Sequence, residues 1–371
     1  MKVLITGANG FLGKNLLLHL AERRDVEAVC FTRQHDAAQL RSLLRGVDFV
    51  FHLAGVNRPD DPQAFIIGNV ELTGTLCAAI AGCGQKVRVV YASSTQAALD
   101  NPYGTSKRRA ENLLFDLQRA HGTPVHVFRL TNVFGKWCRP NYNSVVATFC
   151  NNVARDLPIQ LNEQNALLRL VYVDDVVERF IQLVDGADGA ADGEGFETIT
   201  PQYTIALGDL ALQIQAFRES RLTLLTERVG VGLTRALYST YVSYLPTSSF
   251  VYDVPQHGDA RGVFVEMLKT PDCGQFSYFT AQPGVTRGGH YHHSKTEKFL
   301  VIKGQARFRF RHLNTGEIFE LITSGDRAEI VETVPGWTHD ITNIGDQETI
   351  VMLWANEVFD RSKPDTYACP L

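Results

Sequence analysis

Gly7-Ala8-Asn9-Gly10-Phe11-Leu12-Gly13 follows the β-branched run Lys2-Val3-Leu4-Ile5-Thr6 and opens an apolar stretch of helical period, and that order decides the fold. Glycines at a strand-to-helix turn let the chain reverse tightly and let a pyrophosphate approach the N–H groups at the helix start. A Gly-rich turn alone is weak evidence, so its surroundings carry the weight. Outward from it, strand patterns at residues 2–6, 27–32, 49–53, 87–92 and 125–130 alternate with helical patterns at 11–23, 37–44, 64–81 and 104–121. This rhythm predicts an α/β fold of Rossmann type, a doubly wound parallel sheet covered on both faces. Residues 143–244 are less regular, with helical stretches near 145–155, 175–184 and 207–217, and read as a lobe added to the sheet.

The second strand bears on the cofactor. It ends Cys30-Phe31-Thr32-Arg33, without the carboxylate that would bond the ribose hydroxyls of NAD and with a guanidinium suited to a 2′-phosphate. NADP(H) is therefore expected, held by Gly7, Asn9, Gly10, Phe11, Leu12, Gly13, Thr32 and Arg33. Further on, Tyr103-Gly104-Thr105-Ser106-Lys107 places a phenol and an ammonium four residues apart, on one helix face. A nearby cation favours the phenolate, which suits Tyr103 to exchange a proton with a substrate oxygen. Ser94, closing the strand Tyr91-Ala92-Ser93-Ser94, is placed to reach the same oxygen.

Together these residues resemble the extended short-chain dehydrogenase/reductase family, most of whose members act on nucleotide sugars; the resemblance covers about residues 1–245. His52-Leu53-Ala54-Gly55 and Asn69-Val70 stand where that family keeps its third-strand and following-helix signatures. The resemblance implies that Ser94 orients the substrate oxygen, that Tyr103 is the acid or base, and that Lys107 binds the nicotinamide ribose and tunes Tyr103. It also brings Leu53, Ala54 and Gly55 to the cofactor, and Asn132 to the sugar nucleotide. Thr95-Gln96 replaces the Asp-Glu pair of the family's 4,6-dehydratases, which leaves reduction rather than dehydration. The family's phosphate-gripping Arg is displaced here to Arg169, so Arg169, Lys136 and Arg139 stand as candidates for the diphosphate.

Beyond residue 245 the pattern changes to short strands separated by turns such as Lys303-Gly304 and Asn314-Thr315-Gly316, the spacing of a sandwich or barrel. Six of the eleven histidines lie here, three of them in Gly289-His290-Tyr291-His292-His293. On a strand His290 and His292 share a face and His293 points away. Glu297 and His339 complete three nitrogens and one oxygen, a set suited to zinc or another divalent first-row metal. The string from Gly284 through His290-x-His292 and Glu297 to Gly304 is similar to the first cupin signature, and Pro335-Gly336-Trp337-Thr338-His339 with Asn343 to part of the second. The all-β C-terminal domain is thus expected to be a cupin jelly roll. Asp259 to Glu266 is similar to the opening of the dTDP-sugar 3,5-epimerase branch, which implies a substrate contact for Arg261. His293, Lys298 and Asp340 are unranked candidates for proton transfer.

Across its whole length, including Asn57-Arg58-Pro59 and the run Gly135 to Val145, the chain resembles the bifunctional reductases of capsule and O-antigen assembly. These process a UDP-2-acetamido-2,6-dideoxy-hexos-4-ulose on the way to UDP-N-acetyl-L-fucosamine. The resemblance implies C3 epimerisation at the cupin and NADPH-dependent C4 reduction at the Rossmann domain. The pairing is chemically economical, because a C4 ketone both accepts hydride and acidifies the C3 proton. Two other readings stay open: a reductase whose cupin only binds and dimerises, and a 4-epimerase holding NAD.

At 371 residues, with 44% hydrophobic and 20% charged residues, the chain suits two globular domains, drawn at 1–245 and 246–371. A formal charge of −4 offers no basic excess for nucleic acid or an anionic membrane surface, whereas a UDP-amino-sugar needs only a local site. No export signal is read at Met1, no apolar stretch is expected to approach the roughly 18–20 residues of a membrane span, and the seven scattered cysteines read as reduced. A cytoplasmic homodimer is expected.

Overall fold

Five parallel strands, β1 (Lys2–Thr6), β2 (Glu27–Phe31), β3 (Phe49–His52), β4 (Arg88–Ser94) and β5 (Val125–Leu130), pair in the order β2-β1-β3-β4-β5. The computed structural model describes residues 1–187, 195–259, 262–265, 267–268, 270, 274–357 and 362–371. Val3, Leu4 and Ile5 are all fully buried because β1 is covered on both faces, which is why it reads as a continuous apolar run. Val3 and Ile5 join Leu16, Leu20, Phe51 and Phe128 in one core, and Leu4 joins Val50, Leu76, Ile80 and Leu114 in the other. Truncating any of these leucines to Ala would cost about 2–5 kcal/mol.

Helices α1 (Phe11–Ala21), α2 (Ala37–Leu43), α3 (Gln63–Phe65), α4 (Leu72–Gly82) and α5 (Pro102–His121) alternate with these strands, as the sequence predicts. A π-helical segment, Ile66–Glu71, joins α3 to α4. The continuous helix Gln63–Gly82 does reach the length and apolar content of a membrane span, with a mean hydropathy of 1.6, contrary to the expectation that no stretch would. Its apolar residues Leu76, Cys77, Ala79 and Ile80 are spent on the core beside the sheet.

β6 (Asn132–Phe134), β7 (Leu167–Tyr172) and β8 (Tyr203–Ala206) form a small three-stranded sheet in that order. Between them lie α6 (Val145–Val153) and α7 (Val173–Val184). The sequence reading placed α7 in the added lobe, but Val176, Val177, Phe180 and Leu183 make an i, i+1, i+4, i+7 stripe packed into the Rossmann core.

The remaining elements are α8 (Leu207–Thr223), α9 (Gly232–Val242), β9 (Val251–Asp253), a two-stranded ribbon of β10 (Gln256–Asp259) and β11 (Gly262–Val265), and the strands of two five-stranded sheets. One sheet runs β12 (Gln275–Ala281), β19 (Thr349–Ala355), β14 (Glu297–Lys303), β17 (Glu329–Glu332), β9. The other runs β16 (Ile318–Ser324), β15 (Gln305–His312), β18 (Trp337–Asn343), β13 (Thr286–Tyr291), β20 (Tyr367–Ala368). Their pairings are antiparallel, the jelly-roll arrangement of a cupin. Phe250 packs edge-on against Phe310, Phe319 and Trp337 inside it.

Packing divides the chain into one unit of residues 1–133 and 169–204 and another of 134–168 and 205–371. Residue 245 marks where helices give way to strands; by packing, α6, α8 and α9 group with the barrel.

Candidate active site and candidate metal centre

In the first unit the Gly-rich turn does what its composition anticipates. Gly7 sits at φ +71°, where a Cβ would lie 2.6 Å from the Ala54 nitrogen, and a Cβ on Gly13 would lie 2.3 Å from the Gly7 carbonyl oxygen. Gly10 leads into α1 from extended backbone, and no side chain caps that helix, so its first N–H groups are presented by Phe11, Leu12 and Gly13 as an anion site. Asn9 is exposed beside them. At the end of β2, Thr32 is fixed by His35, whose Nδ1 lies 3.0 Å from the Thr32 nitrogen. Arg33 is exposed and pairs with no side chain among the described residues. Leu53 and Ala54 are tied to β1 through Thr6, whose hydroxyl also meets buried His52 at 2.8 Å. The other His52 nitrogen meets Thr73 at 2.8 Å, and burial beside Lys107 holds this imidazole neutral, its pKa pulled down to about 3.

Ser94 ends β4, and Tyr103 and Lys107 lie on α5. Asn101 caps α5, accepting from the Gly104 N–H at 2.7 Å. Gly104 has no room for a Cβ, which would fall 2.1 Å from the Gln96 carbonyl oxygen, so α5 closes onto the turn that follows Ser94. Ser94 accepts from the Gln96 N–H at 3.2 Å. Tyr103 is half-buried with its ring 5.8 Å from that of Phe65. Lys107, 4% exposed, donates to the Ala92 carbonyl at 2.8 Å and lies 4.3 Å from the centre of the Tyr91 ring. Burial pulls its pKa down to about 7 despite Glu111, so its proton is loosely held at neutral pH.

Asn69, on the π-helical segment, was noted in the sequence without a role. Its amide accepts from the Val56 N–H at 2.7 Å and donates to Ser106, which donates to the Tyr103 carbonyl at 2.7 Å. It therefore ties the turn after Gly55 to the first turn of α5. A cavity of about 330 Å³, lined by Thr95, Ala98, Thr131, Val171, Ile199 and Gln202, opens beyond the carboxyl ends of β4 and β5, where ligands of such sheets bind.

The substrate candidates are dispersed. Asn132 donates to the Arg169 carbonyl at 3.0 Å, and both residues are exposed. Lys136 and Arg139 belong to the second unit, where Lys136 is 1% exposed and Arg139 is exposed with Tyr142 beneath it. Arg261 lies outside the described residues.

In the second unit His290, His292, Glu297 and His339 come together from β13, the turn after it, β14 and β18, with one ligand atom from each within 4.8 Å of the others. The hydrogen bonding of this cluster orients its ring nitrogens. His292 Nδ1 lies 2.6 Å from the Asp365 carbonyl oxygen, which can only accept, so Nδ1 carries a proton and Nε2 is the atom turned toward the cluster. That Nε2 faces a Glu297 oxygen at 3.1 Å, and His339 Nε2 faces the same oxygen at 3.5 Å. Three imidazoles and one carboxylate thus bring one ligand atom each to a common point. Burial, then His339 and His292, pull His290 down to about 4, and burial lowers His339 as well. Burial alone would raise the Glu297 carboxyl, but His292 and His339 hold it well below the usual range. The donor set therefore fits a divalent metal of borderline softness.

None of the three proton-transfer candidates shares this face. Lys298, next to Glu297 on β14, points to the opposite side. It pairs with Glu332 at 2.5 Å in a largely buried cluster that adds Arg221 of α8 and the Tyr238 hydroxyl of α9. Asp340, next to His339, is gripped by two guanidinium nitrogens of Arg309, Nε and Nη2. His293 stacks edge-on against Tyr291 and Tyr367. Period-two alternation carried this information, but only once the registers of β14 and β18 were known.

Residues 3–197 match the model of the NAD dependent epimerase/dehydratase family, and residues 257–367 match the polysaccharide biosynthesis C-terminal domain. Along its full length the chain is 62% identical to the UDP-2-acetamido-2,6-beta-L-arabino-hexul-4-ose reductase of Pseudomonas aeruginosa, over 369 residues and 98% of that protein. A crystal structure of the capsular polysaccharide assembling protein CapF from Staphylococcus aureus, 41% identical, covers all of both chains with a TM-score of 0.68. The UDP-glucuronic acid 4-epimerase of Bacillus cereus, 17% identical, shares the fold over 66% of this chain and 98% of its own, with a TM-score of 0.55. By these matches and by its Gly-rich turn and Tyr103–Lys107 helix, the chain belongs to the NAD dependent epimerase/dehydratase family, with a cupin fused behind the Rossmann fold.

Proposed function

We propose that this chain is a two-step enzyme acting on a UDP-2-acetamido-2,6-dideoxy-4-keto-hexose, inverting C3 at the barrel and reducing C4 at the Rossmann unit, on the route to a capsule or O-antigen sugar. The observation that carries the proposal is the coexistence in one chain of a Tyr103–Lys107 helix following the strand that ends in Ser94 and a barrel cluster of three histidines and one carboxylate. The full-length likeness to a reductase of a UDP-4-keto sugar supports the substrate class.

At the Rossmann unit Gly7, Gly10 and Gly13 would bring the helix N-terminus against the cofactor's pyrophosphate, and Arg33 would face the 2′-phosphate of NADP(H). At the barrel His290, His292, Glu297 and His339 would hold the metal, zinc being best suited to three nitrogens and one oxygen. When bound, the nicotinamide supplies a hydride and the metal a Lewis acid. Ser94 orients the C4 oxygen, Tyr103 gives it a proton, and Lys107 keeps Tyr103 acidic enough to do so repeatedly. Asn69 and Gly104 fix that geometry from behind. Arg169, Asn132, Lys136, Arg139 and Arg261 are proposed for the UDP-sugar.

The test is product analysis after incubating the whole protein with the 4-keto sugar in deuterated water, with NADPH or NADH. The proposal expects one solvent deuteron at C3, reduction at C4 and a preference for NADPH. Reduction without deuterium at C3 would leave a plain reductase; turnover with no added reductant would indicate a 4-epimerase holding NAD.

A further inference from the structure

The ten C-terminal residues, 362–371, contain no residue of the ligand cluster, yet they reach it. β20 pairs with β13 so that Ala368 lies opposite His290 and Tyr367 opposite Tyr291, and the Cys369 N–H donates to the Gly289 carbonyl at 2.7 Å. Just before β20, Asp365 adopts φ +37°, a left-handed conformation that an Asp tolerates better than most side chains. Its carboxylate accepts from the N–H groups of His293, Ser294 and Lys295, at 2.9, 3.0 and 2.7 Å, and from the Ser294 hydroxyl at 3.2 Å. Its carbonyl accepts from His292 Nδ1 at 2.6 Å. The turn grips back: Lys295 Nζ donates to the Thr366 hydroxyl at 2.7 Å and reaches the Pro364 carbonyl at 3.4 Å.

We propose that Asp365 is the positioning residue of the barrel's metal site, one side chain and one carbonyl that together hold the turn between His292 and Glu297 and fix the tautomer of His292. This rests on the reading of the cluster as a metal site. The physical case is that three consecutive N–H groups converging on one carboxylate define the path of the turn, and charge-assisted bonds of this kind are about twice as strong as neutral ones. Without that anchor, His292 and Glu297 would sample several separations, and the carbonyl that holds Nδ1 would be free to swing away. Outer partners of metal-bound histidines tune affinity about ten- to a hundred-fold.

The experiment compares the full-length parent with Asp365→Asn, Asp365→Ala and, as a control on the same segment, Lys363→Ala, whose side chain is exposed. Metal-free proteins are titrated with zinc against a chromophoric chelator, then with cobalt, whose visible spectrum reports ligand geometry, and the melting of the zinc-free forms is recorded. The parent and Lys363→Ala should each bind one zinc with equal affinity. The Asp365 variants should bind about ten- to a hundred-fold more weakly and give an altered cobalt spectrum. Should Asp365→Ala fail to fold, Asp365→Asn carries the test, because it keeps the size and the left-handed tolerance while placing an N–H₂ opposite N–H groups. Parent-like affinity in a folded variant, or a lower melting temperature with unchanged affinity, would overturn the positioning role and leave the metal site standing. A parent that takes up no zinc or cobalt would overturn the metal reading and this inference with it.

Discussion

The two sites are built by opposite strategies. In the Rossmann unit, Tyr103 and Lys107 are neighbours on one helix, Ser94 is nine residues upstream of Tyr103, and the glycine turn is a single stretch. In the barrel, four ligands come from three strands and a turn, and their alignment depends on strand register and on a tail residue, Asp365, far from all of them in sequence. The first site is tuned by burying a charge: Lys107 loses its hold on a proton because water is excluded. The second gathers two imidazoles about one buried carboxylate oxygen. A local site tolerates changes elsewhere in the fold, whereas an assembled site is only as good as its scaffold.

That contrast can be broken most severely at Glu297. Glu297→Gln should lower C3 deuterium exchange about a hundredfold or more while reduction of a sugar already inverted at C3 proceeds near the parent rate. Equal loss of both would mean that the sites are not separable. Glu332→Gln tests the scaffold. It leaves Lys298 and Arg221 without their shared carboxylate in a buried setting, and should cost about 3–5 kcal/mol in denaturant unfolding of the second unit. A loss below about 1 kcal/mol would mean that the buried cluster does not hold α8 and α9 to the barrel.

Arg33→Asp should raise KM for NADPH about tenfold, the loss of one charge-assisted contact, with kcat little changed and NADH use improved. A further effect is on stability against pH. Unfolded Lys107 keeps its proton up to the ordinary lysine range, while folded Lys107 releases it near 7, so between these values the unfolded chain binds more protons and stability rises with pH. Lys107→Met removes this dependence. Its advantage in melting temperature should be greatest below pH 7 and fade as pH rises toward 10; a pH-independent difference would contradict the burial argument.

The Rossmann sheet was legible because each strand is short, apolar and bounded by helix signals; β1 and β5 begin and end where the pattern places them. The lobe was not, since α7 and α9 carry helical stripes that do not announce which core they serve. Asn69 and Gly104 were visible as residues, but their roles arise from a π-helical segment and a close helix approach that no local pattern encodes. The spacing pointed to the histidines that the fold gathers with Glu297. Lys298 and Asp340 came from the same spacing read without knowing which way each strand faces, and Asp365 lay beyond the reach of either signature.

The most direct test of the division of labour is Tyr103→Phe, folded and metal-loaded, incubated with the UDP-4-keto sugar in deuterated water. Removing the proton donor should lower NADPH consumption by about 10² to 10⁴ while solvent deuterium still enters C3 at the parent rate. Loss of exchange along with reduction would contradict the account, because it would make one site responsible for both steps.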